Sequence, residues 1–142
     1  MKPAEFLNTI YLGDRACKSI FIDGWNEKVE LQVDTISRIR SESGNWEFYA
    51  DEDIGDGRIV FSSAKSIKFS PCGPIPNDLI NSFEVYPFKA ENEIEDKDSL
   101  YVFQLSIGSI DPQGTQREVV VEIVAKAIHL EDPKRPGIAI TV

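Results

Sequence analysis

Asp51, Glu52, Asp53 and Asp56 form the densest group of possible metal ligands in the chain, with Gly55 and Gly57 among them. Carboxylate oxygens suit calcium or magnesium. The helix-loop-helix calcium pattern wants acidic or amide residues at its first, third and fifth positions, glycine at the sixth and glutamate at the twelfth. Counted from Asp51, the fifth is Gly55, the sixth Asp56 and the twelfth Ser62, so all three later positions fail. The expectation is a surface turn with no metal. His129, the single histidine, is the only candidate base for a serine–histidine–acid set. It falls in phase with Val121, Ile123 and Ala127, which predicts a partly buried structural side chain. Cys17 and Cys72 are far apart, and one histidine cannot complete the four ligands of structural zinc. Both are expected to be reduced and partly buried. Paired carboxylates can hydrolyse glycosides, but in a chain this acidic some pair at any separation arises by chance. The sequence holds no nucleophile elbow, dinucleotide fingerprint or phosphate loop. No catalytic residue and no cofactor are expected.

Tryptophan is enriched at the energetic centres of protein interfaces. Trp25 sits where a hairpin tip is expected, and Trp46, beside Phe48 and Tyr49, reads as core. The candidate contacts for a partner are therefore Trp25 and the loop residues Asp51, Glu52, Asp53 and Asp56.

The elements that must position these residues are mostly strands. Residues 100–110 and 117–130 read as two long strands joined by a turn with Pro112 and Gly114. Tyr101, Phe103, Leu105 and Ile107 share one face of the first. Val119, Val121, Ile123, Ala125 and Ala127 share one face of the second. Residues 16–22 and 28–39 read as a hairpin with a loop of three to five residues. After Thr35 the apolar phase shifts to Ile36 and Ile39, which predicts a bulge or sharp bend. Short strands are expected at 46–49, 58–62, 66–70 and 138–142. Another spans 79–89, with a break near Asn81, and Pro87 places it at an edge. The prolines of 71–78 make a crossing loop. Residues 3–13 read as a short helix, with Pro3 at its first turn and Gly13 just past its end. The acidic stretch 90–99 is expected to be a solvated loop.

The fold class expected is mainly β: one domain spanning 1–142, an antiparallel sandwich or partly open barrel of about eight strands with one short N-terminal helix. Apolar residues on both faces of 117–130 argue against a single flat sheet. The 142 residues, 42% apolar and 27% charged, suit one packed core. No apolar run approaches the ~20 residues that cross a bilayer, and the start lacks a secretion signal, so a soluble, cytoplasmic protein is expected.

Twenty-four acidic residues against 15 basic ones give a formal charge of −9. A nucleic-acid binder usually needs the opposite balance, because lysine and arginine displace the counterions of the phosphate backbone. An acidic field instead favours a basic protein partner, mainly through faster encounter. The chain is expected to be a monomer or weak homo-oligomer.

The segments Ile36-Ser37-Arg38-Ile39, Trp46-Glu47-Phe48-Tyr49, Glu52-Asp53-Ile54, Asp56-Gly57 and Ile59-Val60-Phe61, with Tyr11-Leu12-Gly13-Asp14-Arg15, resemble the signature of a family of small uncharacterised bacterial proteins. That resemblance covers most of the chain and implies no catalytic residue. The order of hairpin, Val60-Phe61, strand 80–85 and long final hairpin is also similar to that of small β-rich immunity proteins of bacterial toxin systems. This likeness implies a non-enzymatic domain that binds and neutralises a cognate protein. The alternatives are a self-assembling subunit that uses a sheet edge and a small-ligand binder with an internal pocket.

Overall fold

The computed structural model describes residues 1–39, 53–89 and 99–141. Among them it has one helix, α1 (Pro3–Leu7), and eleven strands: β1 (Ile10–Tyr11), β2 (Cys17–Asp23), β3 (Lys28–Val33), β4 (Thr35–Arg38), β5 (Ile54–Gly55), β6 (Arg58–Ser62), β7 (Ser66–Ser70), β8 (Ile80–Pro87), β9 (Tyr101–Ile110), β10 (Gln116–Ala125) and β11 (Ala127–Glu131). The expected strand at 46–49 and most of the acidic stretch 90–99 lie outside the described residues.

Two four-stranded antiparallel sheets, ordered β7-β10-β9-β8 and β11-β6-β3-β2, face each other, and a small sheet β1-β4-β5 adjoins them. Neither four-stranded sheet closes on itself, so the fold is a sandwich and not a barrel. Between the sheets, alternate residues interleave. Val29, Leu31, Ile59, Phe61, Ile128 and Leu130 come from one sheet, and Phe103, Leu105, Ile107, Val119, Val121 and Ile123 from the other. The Phe61 ring meets Phe103 edge-on at 5.1 Å and stacks on Phe83 at 6.2 Å across the layers. Burying each such ring stabilises the fold by roughly 1.5–3 kcal/mol.

The phase change at Thr35 is where the chain leaves one sheet for another. β3 pairs with β2 and β6, and two residues later β4 pairs with β1 and β5. Asp34 makes the corner: its Oδ1 accepts the N–H groups of Ala16 (3.0 Å) and Thr35 (2.9 Å). The long strand expected over 117–130 is likewise two strands. Lys126 interrupts it, β10 lies in one sheet and β11 in the other. This break reverses the facing of later residues, so Ala127 is exposed while Ile128 and Leu130 enter the core. The apolar residues seen on both sides of 117–130 therefore serve two different sheets.

The N-terminal helix is shorter than expected. Thr9 closes it, its N–H and Oγ1 both donating to the Phe6 carbonyl at 2.9 and 2.7 Å. Ile10 and Tyr11 then pair with β4 as a strand. Gly13 does not cap a helix: the Tyr11 ring lies over it, and a Cβ there would fall 2.2 Å from the Tyr11 hydroxyl, so any side chain would displace that ring. β8 is a terminal strand ending in Pro87, with its register break between Ile80 and Ser82, as expected. The expected last strand reduces to one bridge, Ile140 with Leu130.

Candidate functional site

Trp25 stands at the tip of the β2–β3 hairpin and is 95% exposed. The tip is a built structure. Asp23 faces Lys28 across the strand ends, and residues 24–27 form the turn. Asp23 accepts the Asn26 backbone N–H at 3.1 Å and its side-chain amide at 2.8 Å. These bonds hold the Asp23 carboxyl below its ordinary value. Glu27, with φ of 51°, ends the turn. Its carbonyl accepts the Ala64 N–H at 2.7 Å, and its carboxylate pairs with the Lys65 ammonium at 2.8 Å. That ion pair lowers the Glu27 carboxyl too.

The 63–65 crossover that holds the tip is itself fixed to the second sheet, through Lys65 N–H to the Val124 carbonyl at 2.7 Å. Lys126 N–H returns to the Ser62 carbonyl at 3.2 Å. Beside the tip lies a depression of about 260 Å³, with Ile22, Gly24, Glu27, Ala64, Lys65 and Ile67 in its walls. An exposed indole on an ordered turn next to a partly apolar hollow has the composition of an interface centre.

Asp53 and Asp56 do not join this tip. Asp53 and Asp56 are exposed, while Asp51 and Glu52 lie outside the described residues, as does Trp46. Asp56 takes a positive φ of 52°. Its carboxylate pairs with Lys18 at 2.6 Å, its N–H donates to the Asp34 carbonyl at 2.8 Å, and its carbonyl accepts the Gln32 amide at 3.1 Å. Asp56 therefore sits at the far end of the hairpin, with roughly 17 Å of paired strand between it and the tip. Gly57 beside it has no room for a side chain, since a Cβ would meet Ile36 at 2.7 Å. No three His, Cys, Asp or Glu side chains among the described residues are grouped to hold a metal ion.

His129 is partly buried, and its Nε2 lies 3.1 Å from Glu131 Oε1. It faces away from the core, opposite the phase expected, because of the break at Lys126. Cys17 is buried, and that burial pushes its thiol up to about 11. Cys72, expected to be partly buried, is exposed on the proline loop. It lines a larger groove of about 740 Å³ with Ile75, Ile110 and Arg117. The polar groups there serve the fold: Asn77 bonds both backbone groups of Ile110, and Asp111 Oδ1 accepts from Gln113 and Thr115.

A family model described as a family of unknown function, DUF6258, matches residues 1–142. The chain belongs to DUF6258. No curated protein and no solved structure matches it. For this DUF6258 protein the family carries no activity to transfer, so the surface itself must supply the reading. Sequence reasoning missed Phe21 and Ile22 on β2, which are 58% and 52% exposed. Their signal was available: Ile20-Phe21-Ile22 breaks the alternation of the arm and places apolar side chains on both faces.

Proposed function

We propose that this protein is a non-enzymatic recognition domain that seats a protein partner on the β2–β3 hairpin tip, in the manner of an immunity protein. The observation that carries this reading is Trp25, almost fully exposed on a turn pinned by Asp23, Asn26, Glu27 and Lys65. The pinned turn loses little backbone freedom on binding, and the area of the indole contributes most when desolvated in a partner's pocket. The net charge of −9 selects a partner of positive charge and speeds the encounter. In this reading Asp53 and Asp56 contribute to the field and not to the contact centre.

The test is capture from the source cell by the native chain and by Trp25→Ala, with a double charge reversal at Asp53 and Asp56 as the comparison. A partner should be retained by the native chain, lost by Trp25→Ala and bound more slowly by the charge-reversed chain. Equal retention by Trp25→Ala would remove the tip from the contact.

A further inference from the structure

The two four-stranded sheets have four terminal strands, and three are protected against pairing with another chain. β7 displays Lys68 and runs into Pro71. β8 begins at a register shift and ends in Pro87. β11 is bridged at Leu130 by Ile140, with N–H to carbonyl bonds of 2.9 and 2.8 Å. Lysine, proline, irregular register and covering segments are the usual ways in which an edge is blunted.

β2 differs. Its first end is covered, by the Ala16–Leu79 bridge and the register shift between Cys17 and Ser19. Beyond that point Ile20, Phe21 and Ile22 follow with none of these devices among the described residues, and Phe21 and Ile22 are more than half exposed.

We propose that this edge takes a second copy of β2, antiparallel, across a two-fold axis at Phe21. Directly opposed residues of an antiparallel pair share a face. With the axis at Phe21, each Ile20 opposes the other copy's Ile22 on the core-facing side. Phe21 opposes itself on the outer side, and Ser19 opposes Asp23. Apolar meets apolar at the three central positions, polar Ser19 meets Asp23 at either end, and no like charges are opposed. An axis at Ile20 would set Phe21 against Ser19, and an axis at Ile22 would set it against Asp23, so the sequence itself specifies the register.

Charge also favours a second copy over a basic strand here. Residues 17–33 hold two basic residues, Lys18 and Lys28, and three acidic ones, Asp23, Glu27 and Glu30, so this hairpin carries a net charge of −1 although the chain carries −9. Pairing uses the same patch on both copies, and it closes after two. It joins two four-stranded sheets into one of eight strands, with the hairpin tips at the two ends of the paired segment.

Sedimentation equilibrium of the purified chain, over a concentration series at low and high salt, tests this. The apparent mass should rise from 15.9 kDa toward twice that value. Association should strengthen with salt, because the two copies repel through their net charge. Phe21→Lys sets two ammonium groups against each other at the axis and should stay at the single-chain mass at every concentration. Phe21→Thr keeps strand propensity and serves if the lysine variant fails to fold; it should weaken association about tenfold or more. Ile138→Lys, exposed beside the opposite edge of the same sheet, should associate like the native chain. A native chain that stays single throughout overturns the proposal. So does association of both Phe21 variants at native strength. Neither result bears on recognition by the tip, which is read from capture by Trp25→Ala.

Discussion

Trp25 and Phe61 are both large aromatic residues, and the fold uses them in opposite ways. Phe61 is fully buried between the sheets, in contact with Phe83 and Phe103. Phe61→Ala should lower stability by about 3–5 kcal/mol, measured by urea unfolding, through lost transfer energy and an unfilled cavity. Trp25→Ala should change it by no more than about 0.5 kcal/mol, as expected for a side chain that packs on little. The two cysteines divide in the same way. In the native protein near neutral pH, iodoacetamide should modify Cys72 and spare Cys17, whose thiol is buried and pushed up to about 11. Intact mass should show one adduct before unfolding and two after it. The exposure of Trp25 was legible because a turn between alternating strands must face water. That of Cys72 was not, because cysteine is usually buried and the proline loop gives no periodicity from which to read a facing. The role of Asp56 was also hidden: a run of acids looks like a binding loop until Lys18, Asp34 and Gln32 are seen to hold it as a corner.

At the level of elements, the alternation of apolar residues located most of the strands but not the sheet to which each belongs. A phase shift at Thr35 is the same signal whether a strand bulges or changes sheets, and only the partners β1 and β5 decide it. At Lys126 the shift was masked, because Val124 and Ala125 on one side and Ala127 and Ile128 on the other read as one apolar run. Ile10 and Tyr11 lay at helical spacing from Phe6 and Leu7, yet pairing with β4 outweighed a helix too short to be stable alone. The turn at the hairpin tip makes a prediction of its own. The Asp23 and Glu27 carboxyls lie below their ordinary values of 3.8 and 4.5. A lowered carboxyl contributes stability that is complete above the ordinary value and is lost as pH falls through the lowered one. Acidification below about pH 4 should therefore loosen the tip. A fall in amide-exchange protection at Asn26 and Ala64, relative to the intrinsic rate at each pH, would report it, and protection there that tracks the sheet interior would show that these carboxylates do not hold the turn.

For the molecule as a whole, charge and architecture act on different events. The net charge of −9 is concentrated in residues 51–56 and 90–99, each at −4, while the hairpin that bears Trp25 carries only −1, so charge governs the approach of a partner more than the closeness of the final fit. Association of the native chain with a captured basic partner should slow as salt is added, while dissociation changes little; stopped-flow mixing at several ionic strengths checks this. The corner beneath Trp25 has a further consequence. There the hairpin turn, the 63–65 crossover and the Lys126 crossover are stitched together by Ala64, Lys65 and Lys126. A ligand that clasps the indole would pull on a knot shared by both layers, not on a free-standing finger. Its grip should accordingly raise the melting temperature of the entire sandwich in one transition, making this remote projection a handle on the stability of the whole protein.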